Sequence, residues 1–122
     1  MASLDHVAIY VKDLEGAIKF YSSIFGFSVH SRFIAGESRI AVLDVDGGLL
    51  ELIQRPNAPA VAPRGRWSHV AFQVDRFDGL ISKLEEMGLA LRRVTREDGS
   101  RLAFFKDPDG HDIEIMERGL SQ

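Results

Sequence analysis

Two histidines and two glutamates hold the chemistry that this sequence offers: His6, Glu51, His69 and Glu114. His6 and His69 stand 63 positions apart, and so do Glu51 and Glu114. Neutral imidazole and ionised carboxylate are both available near pH 7. Two of each suit one borderline divalent metal ion, whether Zn, Ni, Mn, Co or Fe. A site for Mg or Ca would favour oxygen ligands alone. Taken singly, a strand histidine is most often a structural hydrogen-bonder and a strand glutamate a solvated charge. Recurrence at one offset separates these four from His30 and His111, whose counterparts are Arg93 and Gly48. His111 follows Asp107-Pro108-Asp109-Gly110, which reads as a tight turn, and it is expected at the surface.

The offset extends well beyond the four residues. Residues 5–18 fall on 68–81 with six identities in fourteen positions, among them Val7/Val70, Ala8/Ala71 and Gly16/Gly79. Residues 46–55 fall on 109–118 with four identities in ten. Average composition gives roughly one chance identity per block of this size, and unrelated blocks would not share an offset. The chain is a tandem duplication.

Each copy begins with an alternating strand (4–11 and 68–74). An amphipathic helix follows. In the first copy Asp13 stands at the N-cap, Leu14, Ile18, Tyr21 and Phe25 form the apolar stripe, and Gly26 is the stop. The second copy repeats this with Phe77, Leu80, Ile81 and Leu84, ending at Gly88. Three short strands complete each copy, near 27–34, 38–45 and 48–54, and near 89–95, 101–106 and 111–117. The expected class is α+β, two tandem βαβββ modules forming a curved, cup-like eight-stranded sheet. Module 1 spans about 1–55, a proline-containing linker 56–66, and module 2 about 67–118.

Period-two alternation directs the side chains. Val7, Ile9 and Val11 form the face that the helix covers, and Leu50 and Leu52 share it. His6, Ala8, Tyr10 and Glu51 then point the other way, as do His69, Ala71, Glu114 and Met116. Alternation counted from Ala41 and Leu43 puts Arg39 on this same concave face.

Composition sets the bounds. With 122 residues, 45% hydrophobic and net charge −3, the chain fits one compact domain and lacks the basic excess of a nucleic-acid binder. No cysteine is present, so disulfides, thiolate catalysis and Cys-ligated metals are excluded. No apolar run reaches membrane-spanning length, and a cytoplasmic location is expected.

The segments "DHVAIYVKDLEGAIKFYSSIFGF", "ELIQ", "SHVAFQVD" and "FFKDPDGHDIEIME" resemble the glyoxalase/bleomycin-resistance/extradiol-dioxygenase group, the vicinal oxygen chelate superfamily. The likeness covers essentially the whole chain and is closest to glyoxalase I-like lyases. It implies a single glyoxalase-like domain over 1–122, with a metal held by His6, His69 and Glu114. Glu51 matches the fourth ligand of glyoxalase I. The positions where glyoxalase I places an arginine and an asparagine near its ligands hold Tyr10 and Arg55 here.

The function so implied is a divalent-metal-dependent lyase or isomerase. It would chelate two neighbouring oxygens of a small substrate and shuttle a proton through an enediolate, with Glu114 and Glu51 as the catalytic carboxylates. Tyr10, Arg39, Leu102, Phe104 and Met116 are the expected substrate contacts. Two alternatives stand beside it, a metal-free protein that sequesters a small molecule and an Fe(II) extradiol dioxygenase. The expected partners are a small-molecule substrate and a second copy in a homodimer, with neither nucleic acid nor membrane.

Overall fold

The computed structural model describes residues 4–61 and 67–120. The chain forms two compact units that divide in sequence between Ala60 and Val61. Part of the expected linker, residues 62–66, lies outside the described residues.

Unit 1 runs β1 (Val7–Tyr10), α1 (Leu14–Phe25), β2 (Ser28–Ala35), β3 (Ser38–Val45) and β4 (Gly48–Gln54). Its sheet has the order β1-β4-β3-β2, with β1 parallel to β4 and the other pairs antiparallel. A parallel pair cannot be joined by a tight turn, and here α1 and two further strands make the return. α1 buries Leu14, Ala17, Ile18, Tyr21 and Ile24. It packs on β3 and β4, where Ala41, Leu43, Leu50 and Leu52 are nearly or completely inaccessible.

Both ends of α1 are fixed by residues that the sequence supplies. Asp13 is the N-cap, and its carboxylate accepts a 3.1 Å hydrogen bond from the Gly16 N–H. A Cβ at Gly16 would lie 2.6 Å from that carboxylate, so the absence of a side chain there lets the cap form. Gln54, the last residue of β4, accepts a 2.7 Å bond from the Leu14 N–H and ties the strand to the helix start. At the other end Gly26 takes a left-handed φ of 75°, and its N–H donates to the Ser22 carbonyl.

Unit 2 repeats the plan with β5 (Val70–Gln73), α2 (Phe77–Glu86), β6 (Arg92–Thr95), β7 (Arg101–Lys106) and β8 (Asp112–Met116). Its order is β5-β8-β7-β6, with β5 parallel to β8. Phe77, Ile81 and Leu84 of α2 are buried, as are Ala103, Phe105, Ile113 and Ile115 of the sheet. α2 has no side-chain cap at Arg76, and a Cβ at Gly79 would meet nothing closer than 4.0 Å. Among the described residues the eight strands thus divide four and four, in tandem βαβββ modules of the α+β class.

Several elements are shorter than their sequence patterns. β6 begins at Arg92 rather than near 89, because the Leu89 N–H closes the α2 terminus on the Leu84 carbonyl. β8 begins after His111, whose N–H is taken by the Asp107 carboxylate. The first strands begin at Val7 and Val70, so His6 and His69 stand just outside the ladders. Among the described residues no helix is long and apolar enough to cross a membrane.

Candidate metal and substrate site

Residues paired across neighbouring strands project to the same side of a sheet. In unit 2 one row runs Arg92, Phe104, Glu114 and Ala71 across β6, β7, β8 and β5. The next runs Val94, Leu102, Met116 and Gln73. The row between them carries Ala103 and Ile115, both fully buried, and the repeat matches Ile115 to the helix-facing Leu52, which assigns the first two rows to the helix-distal face.

There the His69 Nε2 and the Glu114 Oε1 meet at 2.9 Å. Glu114 is 6% exposed, and a buried carboxylate needs such a partner. An ionised carboxylate can only accept, so in this pairing Nε2–H donates to Glu114. The Ser68 hydroxyl lies 2.7 Å from Nδ1 and donates to it while the ring is neutral. The Phe104 ring stands edge-on to the imidazole, 5.4 Å between centres. Leu102 and Met116 are buried beside one another, and all three apolar contacts expected from the sequence share the face with Glu114.

Unit 1 holds the corresponding pair in a looser state. Glu51 is opposite Ala8 on β1 and Val42 on β3, half-buried on the helix-distal face. The His6 Nδ1 lies 2.8 Å from the Asp5 Oδ2. His6 has its pKa raised above the ordinary value, chiefly by that hydrogen bond, with the Glu51 charge adding to it against partial desolvation. Tyr10 shares the face, and the Arg55 guanidinium lies over its ring at 4.7 Å.

A common device therefore recurs in both units. Each histidine has Nδ1 held by the side chain immediately before it, Asp5 or Ser68, and Nε2 is the nitrogen left for other work. The two holders differ chemically. A carboxylate only accepts, so Asp5 fixes a proton on Nδ1 and leaves the Nε2 lone pair of neutral His6 free. A hydroxyl can donate or accept, so Ser68 permits either tautomer of His69.

Arg39 departs from its expected place. It is opposite Gln54, as Ala41 is opposite Leu52 and Leu43 opposite Leu50. Those partners face α1, so Arg39 belongs to the helix side and not to the face that carries Glu51. Its charge instead helps hold the Glu15 carboxyl below the ordinary value, behind the larger effect of the Arg32 hydrogen bond.

His111 is also not a surface residue, its side chain being 11% exposed. Its Nδ1 lies 2.8 Å from the Asp107 Oδ2, while the Asp107 Oδ1 accepts from the Asp109 and His111 N–H groups at 3.0 and 2.8 Å. Asp107, Asp109 and His111 each offer one ligand atom within 4.8 Å of the others, and among the described residues this is the cluster close enough to hold a metal ion. Both Asp107 oxygens are already engaged in shaping the turn between β7 and β8. The i, i+4 spacing of Asp107 and His111 across Asp-Pro-Asp-Gly was the available signal.

Comparison with known proteins gives a consistent result. The family model of the Glyoxalase/Bleomycin resistance protein/Dioxygenase superfamily matches residues 3–115. The metallothiol transferase FosB of Lysinibacillus sphaericus is 30% identical over 117 residues, covering 93% of this chain and 80% of the relative. The lactoylglutathione lyase of Schizosaccharomyces pombe is 26% identical over 140 residues; the match covers 93% of this chain but 46% of that enzyme. Among solved structures, a glyoxalase family protein from Enterococcus faecalis superposes with a TM-score of 0.80 at 27% identity, covering 94% of this chain and 97% of that one. The chain belongs to the Glyoxalase/Bleomycin resistance protein/Dioxygenase superfamily.

Proposed function

We propose that this protein is a divalent-metal-dependent lyase or isomerase of the glyoxalase type. The observation that carries the proposal is the recurring histidine–glutamate pair at equivalent positions of the two units, each histidine held through Nδ1. The donor set fits a borderline divalent ion of the Zn, Ni, Mn, Co or Fe group. His6, Glu51, His69 and Glu114 supply two nitrogens and two carboxylates. Bound there, such an ion supplies Lewis acidity toward two neighbouring oxygens of a small substrate.

The chain's own groups do the remaining work. Glu114, packed beside Phe104 and Met116, is placed to take a proton from one carbon and return it to the next. Glu51 is the second carboxylate able to do so, from a more open position. Leu102, Phe104 and Met116 form an apolar wall that limits water near the moving proton, and Tyr10 offers a phenol on the face of Glu51. The protein works as a homodimer on a small molecule. The relatives named lyase and transferase support an enzyme over a metal-free sequestering protein.

Protein purified without chelator, analysed for metal and by light scattering, then screened against hemithioacetals and catechols, tests this. About one divalent ion per chain, a dimer mass and proton-transfer turnover are expected. A metal-free protein that binds small molecules without turnover would overturn the proposal, and catechol cleavage would replace it with the dioxygenase reading.

A further inference from the structure

Arg92 is the cation of the helix-distal row in unit 2. Its guanidinium carbon lies 4.2 Å from the centre of the Phe104 ring, and the Phe104 ring centre is 5.4 Å from that of His69. The guanidinium thus stands no farther from the imidazole than those two distances laid end to end. The other arginines of this unit's strands are engaged differently. Arg93 donates to Glu85 at 2.9 Å, and Arg101 bonds Asp78 and Glu117. Arg92 is exposed, and it rests on the Phe104 ring.

The register explains why the charge stays available. Phe104 is the residue between Arg92 and Glu114 in the row, so an aromatic ring separates the guanidinium from the buried carboxylate that would otherwise neutralise it. A guanidinium stacked on a ring keeps its in-plane N–H groups free, in the fork that matches a carboxylate or phosphonate. Phe104 also restrains the side chain, so less entropy is lost when an anion binds.

We propose that Arg92 is a specificity-determining residue that binds an oxyanion of the substrate, the substrate class being small molecules with a carboxylate or phosphonate beyond the two neighbouring oxygens. The proposal rests on the metal-dependent reading above and deepens it. A cation in this position also offsets the repulsion that an acidic substrate would feel from Glu114.

Two hydroxamates separate the parts of the proposal. Acetohydroxamate offers two neighbouring oxygens and nothing more, whereas succinic monohydroxamate adds a carboxylate on a short tether. Their dissociation constants are measured by calorimetry on Zn²⁺-loaded wild type, Arg92→Gln and Arg93→Gln. Wild type should bind the carboxylate-bearing compound roughly tenfold or more tightly than acetohydroxamate, as a charge-assisted bond allows. Arg92→Gln should abolish that preference while binding acetohydroxamate unchanged, and Arg93→Gln should preserve it. Acetohydroxamate binding with no gain from the carboxylate, or a gain that survives Arg92→Gln, would overturn the Arg92 proposal alone. If neither hydroxamate binds to wild type, both this proposal and the metal-dependent reading fail.

Discussion

Glu114→Gln should keep most of its metal and lose turnover, by about 10²–10⁴-fold if the carboxylate is the base. The amide is nearly the same size, and its oxygen can still accept from the His69 Nε2–H, so the 2.9 Å contact has a substitute in the folded chain. What the amide lacks is basicity. Glu51→Gln should retain metal as well and lose less activity, because Glu51 is less buried than Glu114. His6→Ala and His69→Ala remove a nitrogen donor outright, and metal content should fall together with rate. Metal analysis and initial rates on the four variants check this. Full activity in all four would mean that the pairs are not catalytic and would favour a sequestering protein.

Asp5→Ala should weaken metal binding about 10–100-fold, the usual size of a lost contact behind a ligating histidine. The cause is the tautomer. With the carboxylate present, the His6 Nδ1 keeps its proton and Nε2 presents a lone pair. Without it, the ring divides between tautomers and turns freely. Ser68→Ala should cost less, because the hydroxyl it removes held either tautomer of His69 and enforced neither. Calorimetric titration with Zn²⁺ gives both affinities. Equal and small losses in the two variants would show that the Nδ1 contacts merely fill space.

The repeat made the pairs legible. His6/His69 and Glu51/Glu114 are the same letters at one offset, and the register sets Glu51 opposite Ala8 and Glu114 opposite Ala71, on the other side of their strands from Leu50, Leu52, Ile113 and Ile115. Alternation failed at β3 because Ile40, Ala41, Val42 and Leu43 are all buried, both faces being covered. A run apolar on both sides has no sign from which to count, and only the register with β4 assigns Arg39 to the α1 side. Asp5 and Ser68 share one role but are different letters, so matching identities passed over them. Arg92 has Val29 as its counterpart in the offset, and nothing in the spacing tied it to Phe104. His111 looked like a loop residue because its partner, Asp107, is itself part of the turn.

The two copies have not remained equally constrained since they arose from one ancestor. Gly16 and Gly79 occupy matching places in the helices, but only the first has a reason to stay bare, since a methyl there would displace the Asp13 carboxylate. In the second helix the capping contact is gone, and with it the demand for glycine. Gly79→Ala should therefore raise stability by about 0.5–1 kcal/mol through helix preference alone. Gly16→Ala should give back that gain by losing the cap, a difference that urea denaturation of the two variants would resolve. One module has kept a requirement that its sibling has outlived, leaving the second helix the freer of the two to drift or to be redesigned.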